Sequence, residues 1–358
     1  MYYPAETRIT PLTNVRRERV LPAPGKVLVS TGDQVEPTQI VAQTDLPGEF
    51  RIVPVARLLG VSSSQAKRYL RVQPGDHVKQ GQVIARRGRL PPRSVRSPID
   101  GMVTASGSGR LLIESDTTLF ELGAYIYGTV TNVLEPHGLI IETTGAVVQG
   151  IWGAGGGPSH ETLGKLKCMV KKPTESLRAG SMNLTCRGMI LIGGAGLNSA
   201  GLEHAEELQV GGIVVGGLPP ELVPQVEQLP FPVIVTEGIG AAPMSDPIFQ
   251  LLKTHDGREA SVSARTQARW PVIRPEVIIP LPTEALPPSH TEIGTSLTVG
   301  AQVRAVRAPY MGITGTVTTI PPNARRTDIG DKVFGAEVDL GEETPPVFIP
   351  LANLEVLR

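Results

Sequence analysis

The sequence predicts a multidomain, β-rich α+β fold. A short motif that occurs twice near the N-terminus predicts a repeated β-unit. Gly and Pro together supply about a fifth of the residues, which favours many turns and short strands. A change to alternating strands and helices over residues 187–282 predicts a small parallel α/β domain. At 358 residues, the chain is long enough for roughly two to four domains.

The repeated motif defines the N-terminal part. Gly32-Asp33-Gln34-Val35 is followed after three residues by Gln39-Ile40-Val41-Ala42, and Gly75-Asp76-His77-Val78 is followed at the same spacing by Gln82-Val83-Ile84-Ala85. Each copy predicts a turn at Gly-Asp and then a strand. We expect the two copies to pair with each other.

The segment between the copies predicts a helical insert at 54–70, because a Ser cluster suited to a helix N-cap lies between two short apolar stretches. Four basic residues lie in or beside it: Arg57, Lys67, Arg68 and Arg71. A DNA-reading helix-turn-helix is therefore an alternative. Helices of about two turns with no third helix favour an insert that closes a β-module.

A turn-and-strand sequence, Ser97-Pro98-Ile99-Asp100-Gly101-Met102-Val103, follows the second copy. With the repeat, over roughly residues 20–115, it resembles the barrel-sandwich hybrid fold of biotinyl and lipoyl carriers, efflux-pump adaptors, and modules of RNA polymerase and electron-transport subunits. The resemblance implies one domain over 1–115. Carriers of this family place a modified Lys on an exposed hairpin, whereas residues 86–93 contain arginines and no lysine. The missing lysine therefore disfavours a carrier function and favours a binding or structural use of the fold, without a cofactor.

Charge is distributed unevenly along the chain. Residues 1–110 contain 17 Lys and Arg against 8 Asp and Glu, a net charge of +9, and residues 111–358 contain 17 against 26, a net charge of −9. The basic part is suited to nucleic acid, an anionic membrane surface or an acidic protein. The alternative is that domains of opposite sign simply offset each other.

The sequence shows neither a targeting signal nor a cysteine motif. The N-terminus lacks the apolar core of a signal peptide, and no run of eighteen apolar residues occurs, so we expect a cytoplasmic protein without a transmembrane segment. Cys168 and Cys186 form no CxxC pair. They are interpreted as buried small hydrophobic residues, and no metal site is predicted.

Residues 116–185 predict a β-rich connector. Its Gly-rich stretch at 153–157 lacks the Lys-Ser/Thr ending of a P-loop and the spacing of GxGxxG, so a connector or tight turn is favoured over a phosphate-binding loop. His160 and Glu161 follow this stretch, and one adjacent His-Glu pair is too common to indicate acid–base catalysis.

Residues 186–282 predict the α/β domain, with helices starting at Asn198 or Ser199, at Pro220 and at Ser245. Ligands usually bind where the carboxyl ends of parallel strands meet. That edge would contain Gly193, Gly194, Gly216, Gly217, Thr236, Glu237 and Gly238. Their backbone amides would suit a phosphate or carboxylate, whereas glycines that merely permit tight turns are the alternative.

A linker at 283–295 precedes a C-terminal domain at 296–358. Val299–Val306, Ala308-Pro309-Tyr310-Met311-Gly312 and Gly315-Thr316-Val317 resemble a KOW module, the SH3-like barrel of Nus-type transcription elongation factors and several ribosomal proteins. The resemblance implies contact with RNA or with protein surfaces of the transcription or translation machinery. Six basic against seven acidic residues favour a protein partner over a non-specific hold on nucleic acid.

Candidate contact residues in this C-terminal domain are Arg304, Arg307, Tyr310, Arg325 and Arg326. The leading functional hypothesis is a non-catalytic adaptor for a protein or ribonucleoprotein partner, and the sequence leaves its oligomeric state open. One alternative is an α/β domain that senses or transforms a small anionic ligand held by Glu237 and the Gly-Gly edge. Another is a structural accessory subunit of a membrane electron-transport or efflux complex.

Overall fold

The computed structural model describes residues 5–7, 9–88, 92–267, 272–281, 297–327, 330–341 and 345–357. The predicted linker at 283–295 and the centre of the arginine-containing hairpin, residues 89–91, lie outside these ranges. The chain forms several β-sheets with few and short helices, as the β-rich prediction requires. None of the helices in the described ranges has the length and apolarity that crossing a bilayer requires.

The N-terminal half contains the following strands and helices: β1 Ala5–Thr7, β2 Ile9–Val20, β3 Lys26–Val27, β4 Gln34–Val35, β5 Ile40–Leu46, β6 Phe50–Val53, α1 Val55–Leu59, α2 Ser63–Ala66, β7 His77–Val78, β8 Val83–Arg87, β9 Arg93–Arg96, β10 Gly101–Gly107, β11 Arg110–Glu114, β12 Thr118–Gly123, β13 Gly128–Leu134 and β14 Gly138–Gln149. Both helices lie within the segment predicted as a helical insert.

The two motif copies do not pair with each other in the described structure, so that prediction is wrong. The first copy supplies β4, which pairs with β13, and β5, which pairs with β12 and β3. The second copy supplies β7, which pairs with β10, and β8, which pairs with β9. Each copy therefore belongs to a separate unit, and the first unit is completed by strands beyond residue 115.

The second unit is inserted into the first, between β5 and β12. We call residues 50–113 the inserted module. Its buried core includes Val53, Leu59, Ile84 and Ile113, and every member of that core comes from residues 53–113. The sheet order within it is β6-β11-β10-β7, with α1 and α2 between β6 and β7 in the chain. The inserted module therefore has a hydrophobic core of its own.

The middle of the chain contains these elements: β15 Trp152–Gly155, β16 Glu161–Cys168, β17 Ile190–Ile192, α3 Ser199–Glu207, β18 Gly212–Leu218, α4 Val223–Val226, β19 Pro232–Ile239, α5 Asp246–Thr254, β20 Glu259–Ser263 and β21 Glu276–Pro280. The strands β16, β17, β18 and β19 are parallel, as the alternation predicts. The predicted connector is part of the same sheet, because β14 pairs with β21 and β16 pairs with both β17 and β20.

This central sheet runs in the order β15-β19-β18-β17-β16-β20-β21-β14-β13-β4, and β2 also pairs with β14. Strand β18 has alternating side chains on two buried cores, so Val215 packs with α3 and Val214 packs with α5. Burial of every residue of β18 explains its continuous apolar sequence. The helix starts at Asn198 and Ser245 are confirmed, whereas the helix predicted to start at Pro220 is only a short 3₁₀ turn followed by α4.

The C-terminal strands are β22 Gln302–Ala305, β23 Thr314–Thr319, β24 Arg325–Arg326, β25 Lys332–Val333, β26 Gly335–Asp339, β27 Val347–Pro350 and β28 Leu354–Leu357. Five of them form a sheet with β1 in the order β1-β28-β22-β23-β26-β27, in which β1 from the N-terminus is parallel to β28, and β24 pairs with β25. We call residues 297–357 with β1 the C-terminal sheet domain. Its core contains Val303, Val338 and Val356.

Candidate functional site

The structure brings the predicted glycine edge together. Gly193 and Gly194 follow β17, Gly216 and Gly217 lie at the end of β18, and the remaining three residues, Thr236, Glu237 and Gly238, lie in β19. Gly217 is opposite Gly238 in the parallel β18–β19 register. All seven residues are buried. The edge is therefore an interior part of the fold.

The backbone amides of this edge are already used. Gly193 N–H donates to the carbonyl of Val214 at 2.9 Å, Gly194 N–H donates to Glu175 at 3.1 Å, and Gly216 N–H donates to Gly194 at 2.8 Å. A Cβ on Gly216 would lie 2.6 Å from the carbonyl oxygen of Ala242. These glycines permit close backbone packing, which matches the structural alternative, and the predicted use of their amides for an anion is wrong at these three positions.

Glu237 from this edge takes part in a buried ion cluster with the C-terminal sheet domain. Arg304 on β22 donates through Nη1 to Glu237 Oε2 at 2.5 Å and to the Thr236 carbonyl at 3.0 Å, and through Nη2 to Glu355. Arg274 Nη1 reaches the second oxygen of Glu355 at 2.7 Å. The Arg304 side chain is 1% exposed. Its prediction as a partner contact is wrong, since it holds the C-terminal sheet domain on the central sheet.

The charges of the cluster balance, with two arginines and two glutamates, although the buried Arg304 Nε has no hydrogen-bond partner in the described structure. Burial lowers the pKa of Arg304, but Glu237 and Glu355 outweigh that effect and raise it above its ordinary value. The Oε1 atom of Glu237 accepts from the Ser245 amide at 2.9 Å. A cleft of about 490 Å³ beside the cluster is lined by Gly238, Arg274 and Met311, among others. The charged groups that face this cleft are already paired with one another.

The other predicted contact residues lie on the C-terminal sheet domain, and the structure does not combine them into one site. Arg307 is exposed, and Tyr310 is half-buried against the core of the domain. Arg325 donates to Glu337 at 2.7 Å and stacks over the Phe348 ring, with 5.6 Å to its centroid. Arg326 Nε donates to the Gly330 carbonyl at 3.1 Å. Two of these arginines thus stabilise their own strands.

A second set of paired charges joins β2 to other strands of the central sheet. Arg17 on β2 binds both carboxylate oxygens of Glu276, and Arg19 binds both oxygens of Glu161 at 2.7 and 2.9 Å. Tyr125 lies between them, with the Arg19 guanidinium 5.3 Å from its ring centroid. Burial raises the pKa of Tyr125 well above its ordinary value, and Glu276 adds to the shift. Because both of its carboxylate oxygens accept from Arg19, Glu161 is held in an ion pair.

Positive charge is concentrated in the inserted module. Residues 50–113 contain twelve Lys and Arg residues and two Asp residues, a net charge of +10. The rest of the chain, which we call the body, contains twenty-two basic and thirty-two acidic residues, a net charge of −10. The sequence asymmetry between residues 1–110 and 111–358 is thus the property of one inserted unit.

The basic side chains of the inserted module are mostly unpaired. Among its described residues only Arg51 forms an ion pair, with Glu49 just outside the module. Arg87 and Arg96 donate to backbone carbonyls, whereas eight exposed side chains have no partner in the described structure: Arg57, Lys67, Arg68, Arg71, Lys79, Arg86, Arg93 and Arg110. The sequence shows the excess of positive charge in residues 1–110 but not that one unit carries it, because the nesting of the two copies is a long-range property.

Metal and thiol chemistry receives no support from the described residues. No three His, Cys, Asp or Glu side chains in the described ranges lie close enough together to hold a metal ion. Both cysteines are free thiols; Cys186 is buried, and Cys168 is half-buried and donates to the Val170 carbonyl. Comparison with protein-family models found no match, and comparison with curated proteins found none either. Function is therefore inferred from the charge and geometry of the chain itself.

Proposed function

We propose that this chain is a non-catalytic adaptor that binds a nucleic-acid-containing partner through the inserted module. One observation carries the proposal: the inserted module has a net charge of +10 with most of its exposed cations unpaired, while the body has a net charge of −10. In the body, arginines such as Arg17, Arg19 and Arg304 pair with carboxylates and stabilise the fold. In the described structure of the inserted module, Arg51 alone pairs with a carboxylate.

Unpaired cations on a small rigid unit favour a polyanion as the partner. Like charges brought together in one unit repel each other, and phosphates relieve that repulsion while condensed counterions are released from the nucleic acid. The acidic body would repel the same polyanion, so the partner would approach from the side of the inserted module. The resemblance of the C-terminal residues to a KOW module supports a ribonucleoprotein partner, with the body available for protein contact.

Support for a non-catalytic role comes from the ion pairs of three buried carboxylates and one half-buried carboxylate. Glu237 and Glu355 are held by Arg304, Glu276 by Arg17 and Glu161 by Arg19. A general acid or base must be able to exchange a proton with a substrate. Carboxylates fixed in ion pairs of this kind instead connect the strands and sheets that position the inserted module.

Fluorescence anisotropy with labelled RNA tests the proposal. We expect the logarithm of the binding constant to fall linearly with the logarithm of salt concentration, with a slope of roughly −0.7 for each phosphate contacted on a single strand. Reversing four exposed charges of the inserted module, Arg57, Lys67, Arg71 and Arg86, to Glu should weaken binding by about 100-fold or more.

The matched control reverses four basic residues of the body: Lys165, Lys171, Lys172 and Arg178. These side chains are exposed, and their reversal should change the affinity by about threefold or less. Equal losses in the two variants, or no binding by the unmodified chain, would contradict the proposal. Crosslinking mass spectrometry from native cells would then identify the partner.

A further inference from the structure

The inserted module contains a groove of about 1020 Å³ that differs from the rest of its surface. One wall is the helical segment from Ser63 to Lys67, the second is the segment from Leu70 to Asp76, and the third is the tip of the β10–β11 hairpin. Three separate elements of the fold therefore face one space.

Backbone hydrogen bonds fix these walls relative to one another. Ala56 N–H donates to the Gly109 carbonyl at 2.8 Å, which ties α1, whose Val55 also lines the groove, to the hairpin tip. Gly75 N–H donates to Val103 at 2.7 Å and Val103 N–H donates to Asp76 at 2.9 Å, which ties the second wall to β10. Gly109 has φ +71°, and a Cβ there would lie 2.6 Å from the Ala56 Cβ. The groove is thus preorganised.

Each wall contributes one exposed cation: Lys67, Arg71 and Arg110 respectively. The one carboxylate among the lining residues belongs to Asp76, whose Oδ2 accepts from the Gln73 amide at 2.8 Å within its own turn. Part of its charge is therefore satisfied by that turn. A net positive field remains in the groove.

The floor of the groove is apolar, and its rim contains hydroxyl groups. Val55, Ala66 and Val72 line its base but are almost fully buried, so its accessible apolar surface comes from half-buried Leu70 and exposed Pro74. Hydroxyl groups are supplied by Ser63, Ser64, Ser106 and Ser108. Phosphate oxygens are commonly bound by Arg, Lys and Ser side chains together, and an apolar surface suits the face of a base or a ribose.

We propose that this groove binds one unpaired nucleotide of a nucleic-acid strand, with its phosphodiester on Lys67, Arg71 and Arg110 and its base over the apolar floor. The inference rests on the proposed function and names the site within it. A concave space closed on three sides admits a nucleotide that has left the stack, whereas the bases of a duplex are hidden inside the helix.

Two triple variants that remove the same charge test the site. One replaces Lys67, Arg71 and Arg110 by Ala, and the control replaces Arg68, Lys79 and Arg86, which do not line the groove. With fluorescein-labelled oligouridine, we expect the groove variant to lose about 30-fold in affinity and its salt slope to decrease in magnitude by about 2. For the control variant, we expect a loss of affinity of about threefold and a decrease in salt slope of less than about 1.

A second pair of variants adds a bulky side chain inside or outside the groove without changing the charge of the module. Ser64→Trp fills the groove and should weaken binding about tenfold, while Ser94→Trp, on exposed β9 outside the groove, should leave it within about twofold. The same measurements with oligothymidine and with annealed duplex RNA show whether the groove prefers RNA or DNA and whether it prefers a single strand or a duplex. Binding of either single strand that depends on these variants supports the groove.

The outcomes separate this inference from the proposed function. Equal losses in the two triple variants together with no effect of Ser64→Trp would mean that diffuse charge binds the nucleic acid, so the groove assignment would be overturned while the proposed function stands. Tighter binding of the duplex than of the single strand would also overturn it. If the unmodified chain binds no nucleic acid at all, both proposals fail.

Discussion

The inserted module and the body use charged side chains in opposite ways. In the body, Arg304, Arg17 and Arg19 lie in ion pairs that join distant parts of the chain. In the inserted module, exposed cations such as Lys67 and Arg110 surround a small apolar core without partners in the described structure. Charges in the body therefore contribute to folding, and charges in the inserted module remain available for binding. Four substitutions sharpen this difference.

The largest effect is expected from Arg304→Ala. Removing this guanidinium leaves Glu237 and Glu355 buried without their shared partner, which should lower the free energy of unfolding by about 3–5 kcal/mol. Urea unfolding measures the loss, and hydrogen exchange should show it first at the contact between β19 and β22. Arg307→Ala, at an exposed neighbouring position, is the control and should change stability by less than about 0.5 kcal/mol. A small loss for Arg304→Ala would mean that the buried cluster is not what joins the two sheets.

Leu59→Ala should destabilise the inserted module by about 2–5 kcal/mol, because this fully buried side chain fills the core beneath α1. Hydrogen exchange should reveal faster exchange in residues 53–113 and unchanged protection in β17, β18 and β19. The neighbouring Leu58→Ala, at a half-exposed position, should have little effect. Equal loss of protection in the central sheet would show that the inserted module does not open as a separate unit.

Tyr125→Phe should have a modest and pH-dependent effect. The phenol donates to Glu276 at 3.4 Å, so its loss should cost about 0.5–1 kcal/mol near neutral pH. Because the folded state raises the pKa of Tyr125, the neutral phenol contributes stability that is present below about pH 10 and is lost as pH rises above the unfolded value. Urea midpoints between about pH 9 and 11 should therefore fall less steeply for Tyr125→Phe. Parallel curves for the two proteins would contradict this account.

The smallest effect is expected from Arg325→Ala, which removes a largely exposed ion pair with Glu337. Such pairs contribute about 0–1 kcal/mol, because solvent screens them. Thermal unfolding measures the change, and added salt should reduce the difference from the unmodified chain. A loss as large as that of Arg304→Ala would show that burial is not what separates the two classes of arginine.

Local features of the fold could be predicted from the sequence. Asn198 starts α3 and its side chain accepts from the Gly201 amide at 2.9 Å, as its position before an apolar-periodic segment indicates. Alternation of strands and helices predicted the parallel strands from β17 to β19. These features depend on residues close together in the chain, where propensity and capping act.

Pairing partners could not be predicted, because strand periodicity does not show which strand lies alongside. Strand β2 pairs with β14 more than a hundred residues later, and the two similar motif copies join different sheets. The burial of Arg304 could not be predicted for a related reason. Val303, Arg304 and Ala305 are all buried, since β22 has the core of its own domain on one face and the edge of the central sheet on the other. The groove likewise depends on three segments that meet only after folding.

The two ends of the inserted module lie next to each other in the structure. Glu49 N–H donates to the Ser115 hydroxyl at 2.8 Å, and Ser115 N–H donates to the Glu49 carbonyl at 3.0 Å. Leu46 and Thr118 face each other across the β5–β12 pair. A tight two-residue turn between them would close an ordinary hairpin and restore an uninterrupted scaffold. Removing the module should therefore leave the pairing of β5 with β12 intact and abolish the proposed binding of a polyanion.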